Sequence, residues 1–176
     1  MKIGLCGTMS VGKTTLVNAL AELPEFKDYK FRTERSKELM AMGVPLNTDS
    51  TLKGQSVFLA ERASELMCEN IITDRTIIDV MAFAKCSESM YYFEADDFCQ
   101  IASYMLSEYD YIFYVSPEGV EIEDNGIRET NSAYRDLIDS TIKELISKYH
   151  HKFKNLINIK GTTEERIALV KHSLSL

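Results

Sequence analysis

The sequence predicts an α/β fold built on a parallel sheet. Short apolar runs alternate with longer amphipathic segments along the 176 residues, a pattern typical of strands joined by helical crossovers. The run 111–115 is continuously apolar, as expected of a strand covered on both faces. Because no repeat, low-complexity tract or Pro/Gly-rich linker interrupts the pattern, we expect a single domain over residues 1–176.

Five segments are predicted as strands. The second is the weakest, and the third ends in an acidic residue. Their ranges are 2–6, 29–33, 70–74, 111–115 and 156–159. Right-handed crossovers should connect the parallel strands.

The segments between the strands have apolar residues at helical spacing. Helices are predicted at 13–22, 34–39, 50–69, 76–88, 94–108 and 132–150, with a last helix capped by Thr162 and Glu165. In helix 50–69 we expect the buried stripe to consist of Leu59, Ala63, Leu66 and Met67.

Composition narrows the class of protein. No apolar run reaches the roughly 18 to 20 residues that a membrane span requires, and the N-terminus lacks the pattern of a signal peptide, so we expect a cytoplasmic protein. Four widely spaced cysteines without a C-x-x-C pair favour reduced thiols. The net charge of −7 disfavours a broad nucleic-acid surface but leaves room for a narrow basic cleft.

Residues 7–14 read GTMSVGKT and match G-x-x-x-x-G-K-[ST] at every fixed position. The match follows a predicted strand and opens a predicted helix, which is the context that makes it specific. Two glycines permit backbone angles at which successive amides converge on phosphate oxygens, and the helix adds its positive N-terminal dipole. The predicted nucleotide-binding residues of this loop are Gly7, Met9, Ser10, Val11, Gly12, Lys13, Thr14 and Thr15.

Within that loop, two side chains have distinct chemical tasks. Lys13 supplies a compact cation for the β- and γ-phosphates, and Thr14 offers a hydroxyl to Mg²⁺. Asp74, at the end of the third strand, is the candidate carboxylate for the same ion, since the carboxyl ends of parallel strands share one edge of the sheet. A helix N-cap is the structural alternative for Asp74, and both roles can coexist.

Further candidates follow the second and third strands. Glu34 is a candidate base for an acceptor hydroxyl, with a first-turn glutamate as the alternative. Arg35 and Arg75 are candidates for binding substrate or phosphate, and a solvated surface arginine is the alternative for Arg75.

A polar segment at about 117–135 is predicted to act as a lid, because long polar loops in compact domains often close over a site. Arg128 and Arg135 are its candidate phosphate-binding residues, with an acidic solvated loop carrying an incidental arginine as the alternative.

With these pieces in place, the sequence resembles the small P-loop kinases of the nucleoside and nucleotide kinase type, related to ribosylnicotinamide kinase domains and phage AAA-like kinases. The matching pieces are residues 1–7, residues 72–76 with Asp79 beyond them, and residues 124–128.

The resemblance implies a three-layer P-loop NTPase fold with five parallel strands in the order 2-3-1-4-5. It also implies that Glu34 faces the acceptor hydroxyl and that the pair Asp74-Arg75 frames the transferring phosphate together with the lid arginine. Adenine is expected near Gly161 and Thr162. We expect Gln55, Phe58 and Arg62 to line the acceptor pocket, although no motif defines it.

The expected activity is therefore transfer of the γ-phosphate of ATP, with Mg²⁺, to a hydroxyl of a nucleoside or nucleotide. Lys13, Glu34, Asp74 and Arg128 are the candidate catalytic residues. A DNA kinase acting on a hydroxymethyl group of a modified pyrimidine such as 5-hydroxymethyluracil is the alternative, with the host cytoplasm as its location if a phage encodes it. An AAA-type ATPase and a scaffold without turnover rank lower. The oligomeric state stays open, and a homodimer is one option.

Overall fold

Five parallel strands form one sheet in the computed structural model, which describes residues 1–33, 35–119 and 132–176. The strands are β1 (Lys2–Cys6), β2 (Lys30–Arg32), β3 (Ile71–Asp74), β4 (Tyr111–Val115) and β5 (Leu156–Ile159). Their order is β2-β3-β1-β4-β5, and every neighbouring pair is parallel. The α/β class confirms the prediction from the sequence pattern, and the strand order confirms what the resemblance implies.

Helices cover both faces of the sheet. They are α1 (Lys13–Ala21), α2 (Ser36–Ala41), α3 (Leu52–Glu65), α4 (Ile77–Lys85), α5 (Tyr92–Ser103), α6 (Ser132–Lys148) and α7 (Thr163–Ser173). Apolar residues of α1 and α7 pack with one face of β1 and β4. Those of α4, α5 and α6 form the larger core on the other face.

Strand register aligns the carboxyl ends at which the site forms. Leu5 pairs with Asp74 across β1 and β3, and Cys6 pairs with Tyr114 across β1 and β4. The loop after β1 therefore leaves the sheet level with the end of β3. In an open parallel sheet, this edge is where ligands bind.

The expected apolar stripe of α3 is present in part, because Leu66 is buried in the larger core and Leu59 packs against it. The buried residues within the helix itself are Gly54, Gln55, Arg62 and Glu65. Met67, expected in the stripe, is 86% exposed. The helix ends at Glu65 because the chain turns there towards β3, with the Cys68 amide donating to the Glu65 carbonyl. The expectation for Met67 was wrong because helical spacing was extended past this turn.

Other local expectations hold with shifted bounds. The predicted capping box of the last helix is present, since the Thr162 amide donates to Glu165 and the Glu165 amide donates to Thr162. Helix α5 begins two residues earlier than expected, where Glu94 accepts from the Tyr91 amide.

All four cysteines are free thiols. In the described part of the chain, no helix combines the length and the apolar character that crossing a bilayer needs.

Candidate active site

The loop after β1 adopts backbone angles that depend on glycine at two positions. Gly7 has φ 149° and Gly12 has φ 82°, in the region where a side chain is strained. A Cβ atom at Gly7 would also lie 2.6 Å from the Val115 carbonyl oxygen of β4. Residues 7–14 therefore form the tight turn that the motif predicts.

Lys13 reaches back across this turn. Its ammonium donates to the carbonyl oxygens of Gly7 and Thr8, at 2.7 Å each, and the side chain is almost fully buried. Since Gly12 and Lys13 begin α1, the positive end of the helix and the ammonium lie on the same loop. Both features favour a bound anion.

Thr14 and Asp74 meet directly. The Thr14 hydroxyl donates to a carboxylate oxygen of Asp74, and Asp74 is buried. Two hard oxygen groups side by side suit Mg²⁺, which prefers oxygen ligands. The donor set thus fits the ion that the sequence implies, and the metal role of both residues stays a prediction.

A small cavity joins these groups. Its lining consists of Met9, Ser10, Val11, Gly12, Lys13, Thr14, Asp74 and Arg75. Thr15 is exposed in the first turn of α1 and lies outside this lining. Gly161 and Thr162 form the turn between β5 and α7, and their predicted contact with adenine stays a prediction.

Arg75 has an unusual conformation and surroundings. Its φ is 84°, and its guanidinium lies over the Phe83 ring, 4.9 Å from the centroid. One of its terminal nitrogens is 4.0 Å from Asp79. The side chain is 13% exposed, so the alternative of a solvated surface arginine is wrong.

Asp79 supports the phosphate loop by a hydrogen bond to its first residue, a role that the sequence did not reveal. One carboxylate oxygen accepts from the Gly7 amide at 3.0 Å. The other accepts from the Thr76 amide at 2.7 Å and from the Thr76 hydroxyl at 2.9 Å. The spacing Thr-x-x-Asp could have identified the cap of α4, but only the fold brings Gly7 to it.

A second anchor ties the loop to α6. The Thr8 hydroxyl donates to the Arg135 carbonyl oxygen at 2.9 Å, and both residues are buried. Arg135 is therefore a buried residue of the first turn of α6 rather than part of a solvated loop. Its predicted contact with a phosphate is untested by this geometry.

Arg166 is a third anchor, and sequence reasoning missed it. One terminal nitrogen donates to the Val11 carbonyl oxygen at 2.6 Å. Burial lowers the pKa of the guanidinium. A Cβ atom at Gly12 would lie 3.1 Å from the same nitrogen. Because 155 residues separate Arg166 from Val11, no local pattern predicts this contact.

Among the described residues, Arg35 is a candidate that does not join the cavity lining. Arg35 is exposed and forms ion pairs with Glu38 and Glu61, the latter at 3.1 Å. Glu34 and Arg128 lie outside the described residues, as does most of the predicted lid segment 117–135.

Comparisons with solved structures support the same fold. Deoxyadenosine kinase from M. mycoides with bound dATP matches with a TM-score of 0.66 and 17% identity, covering 100% of each chain. The NadR protein in complex with NR matches with a TM-score of 0.72 and 16% identity, over 99% of this chain and 51% of that chain. The YorR protein of Bacillus subtilis in complex with phosphorylated GDP matches with a TM-score of 0.57 and 17% identity, over 99% and 95%.

At identities this low, the structural similarity establishes the fold alone. At the level of the fold, it confirms the predicted resemblance to P-loop kinases. Comparison with curated proteins finds no significant sequence match. A family model described as an AAA domain matches residues 2–166, which is nearly the whole chain. The chain, with its P-loop phosphotransferase fold, thus belongs to this AAA domain family.

Proposed function

We propose that the protein is an ATP-dependent kinase that transfers the γ-phosphate to a hydroxyl of a nucleoside or nucleotide. The observation that carries this proposal is that one cavity is lined by residues 9–14 of the phosphate loop, including Lys13 and Thr14, and by Asp74, which accepts from the Thr14 hydroxyl. Phosphoryl transfer depends mainly on positioning and charge stabilisation, which these groups supply.

In the proposed reaction, the loop amides and Lys13 hold the β- and γ-phosphates. The acceptor oxygen forms a bond to the γ-phosphorus as the bond to the β,γ-bridging oxygen breaks, and that electron pair leaves with ADP. The acceptor proton passes to a base, for which Glu34 stays the candidate from the sequence. A Mg²⁺ ion held by Thr14 and Asp74 would neutralise charge on the phosphates.

The relatives favour a small acceptor. Their structures contain dATP, NR or phosphorylated GDP, all of nucleoside type. In this chain Gln55 is one of the buried polar residues of α3, and Phe58 is half-buried nearby on the same helix. Polar and aromatic side chains together suit a nucleobase, which has hydrogen-bonding edges and an apolar face. We therefore propose that the acceptor binds beside α3. We also propose that residues 1–176 form a single domain and that residues 117–135 act as its lid.

A labelled-phosphate assay tests the proposal. The protein is incubated with γ-labelled ATP and Mg²⁺ against deoxynucleosides, ribonucleosides, nucleoside monophosphates, and DNA with and without 5-hydroxymethyluracil. We expect label on a free nucleoside or nucleotide. Label on the modified DNA alone would replace this proposal with the DNA kinase. ATP hydrolysis without labelled acceptor would favour the AAA-type ATPase.

A matched control keeps the assay specific. Lys13→Ala is assayed beside the wild type, after circular dichroism shows that both are folded. Equal label with the two proteins would identify a contaminating kinase and remove the support for the proposal.

A further inference from the structure

The buried side of α3 contains an ion pair, although apolar residues could fill the same space. Arg62 and Glu65 are joined at 2.7 Å, and their side chains are 4% and 10% exposed. The Nε atom of Arg62 and the Oε2 atom of Glu65 are buried with no hydrogen-bond partner among the described residues. Burying such a pair often costs more than apolar residues of similar size would.

This pair contacts the backbone at the candidate metal ligand. The Nη1 atom of Arg62 donates to the Asp74 carbonyl oxygen at 3.2 Å, while Nη2 holds Glu65. A guanidinium can serve both directions at once because its donors diverge in one plane. The ion pair therefore connects α3 to the peptide that links Asp74 to Arg75.

That peptide precedes a strained residue. Arg75 has φ 84°, and a non-glycine residue persists in this region only when its surroundings hold it there. The Arg75 amide donates to the Leu5 carbonyl at 3.0 Å, and the Thr73 hydroxyl donates to the Arg75 carbonyl at 2.9 Å. Arg62 adds the contact at the Asp74 carbonyl, so the turn is held at three successive points.

We infer that Arg62 is a positioning residue: it fixes the peptide after Asp74 so that the carboxylate stays against the Thr14 hydroxyl, in place for Mg²⁺. This role rests on the proposed function and differs from the expectation that Arg62 lines the acceptor pocket. An acceptor-binding arginine would affect the KM for the acceptor. A residue that positions Asp74 affects the Mg²⁺ dependence and kcat.

The key variant is the double substitution Arg62→Met with Glu65→Met. It removes both charges of the pair together. Glu61, the other carboxylate near Arg62 at 3.9 Å, keeps its ion pair with Arg35 at 3.1 Å. The stability of the variant in urea should therefore stay near that of the wild type. We expect the Mg²⁺ concentration for half-maximal rate to rise by roughly 10- to 100-fold, as for other partners that orient metal ligands. The KM for the acceptor should stay within about twofold.

Two further variants frame the result. Ser64→Ala, on the exposed side of α3, should match the wild type in every measurement. Arg62→Lys retains the charge opposite Glu65 but lacks the diverging donors, so we expect a smaller rise in the Mg²⁺ requirement. Should the double variant fail to fold, Arg62→Lys alone decides the outcome.

A crystal structure of the double variant provides a readout that needs no turnover. We expect the Asp74–Arg75 peptide to rotate and the bond between Thr14 and Asp74 to be lost. An unchanged turn, or a folded variant with the wild-type Mg²⁺ dependence, would overturn the inference. A wild-type protein that transfers no phosphate would refute the proposed function, and the crystallographic comparison would still test Arg62.

Discussion

Lys13 shows how much one side chain depends on its surroundings. The motif predicts a lysine that binds phosphate, and the structure places its ammonium on two carbonyl oxygens of the same loop. These bonds hold the charge inside the turn, next to the amides that would face a phosphate. Lys13 is therefore positioned by the loop that it serves.

Substitution of Lys13 tests this arrangement. For Lys13→Ala we expect kcat/KM for ATP to fall by at least roughly 10²- to 10³-fold, because the main positive charge opposite the phosphates is lost. The measurement is initial rate against ATP concentration at a fixed acceptor concentration. A variant within tenfold of the wild type would contradict the role of this lysine.

Arg166 makes a separate prediction at the same scale. Arg166→Met removes the donor to Val11, and a hydrogen bond from a charged group is worth roughly 1.5 to 3 kcal/mol. We expect ATP affinity, measured by calorimetry, to weaken by about tenfold as the loop loosens. Lys171→Met, which removes the surface ion pair of α7 with Glu25, is the control and should leave ATP affinity unchanged. Equal affinities in all three proteins would show that the loop holds without Arg166.

Among the elements, α4 supports the site through its first turn. Its cap is a reciprocal pair of Thr76 and Asp79, and the same Asp79 carboxylate accepts from the Gly7 amide. The start of one helix thus supports the loop that leads into another. Helix formation and loop geometry are coupled at this carboxylate.

The cost of losing Asp79 can be compared with an exposed cap of the same type. Asp79→Ala leaves buried donors at Gly7 and Thr76 without an acceptor, so we expect a loss of roughly 3 kcal/mol or more in the free energy of unfolding. Glu165→Ala in the exposed cap of α7 should cost about 1 kcal/mol or less. Urea denaturation of the two variants measures the difference. Equal losses would mean that the Gly7 contact adds nothing.

At the scale of the whole molecule, charge and packing determine which ligands and reagents reach the chain. The net charge of −7 opposes long-range attraction of a polyanion. Two apolar cores enclose the sheet and leave little access to the side chains within them. The effect of the charge can be measured as the salt dependence of the reaction, and the packing can be measured as the reactivity of the cysteine thiols.

Salt dependence distinguishes a small acceptor from DNA. With a free nucleoside as acceptor, we expect kcat/KM for that acceptor to change by less than about twofold between 50 and 200 mM salt, because few ion pairs form on binding. A steep fall, by roughly 10³-fold or more, is typical of proteins that contact many phosphates. Such a fall would contradict the small-acceptor proposal.

Thiol reactivity reports on the packing of the cores. Burial raises the pKa of Cys6, and it raises the pKa of Cys99 to about 11. At pH 8 the thiolate fraction of Cys99 is then only about one in a thousand. We expect iodoacetamide to modify the part-exposed Cys68 first and to reach Cys6 and Cys99 only after unfolding. Mass spectrometry of the labelled peptides gives the order, and early labelling of Cys99 would contradict the packing.

Sequence alone determined the α/β class, the five strands, the phosphate loop and the pairing of Asp74 with it, because each depends on local spacing or on the shared edge of parallel strands. Tertiary structure decided the polar face of α3 and the contacts of Arg62, Asp79 and Arg166 with backbone groups at the site. A donor meeting a distant carbonyl leaves no periodic pattern in the chain. Helical spacing reports which residues share a face, but not which neighbour that face meets.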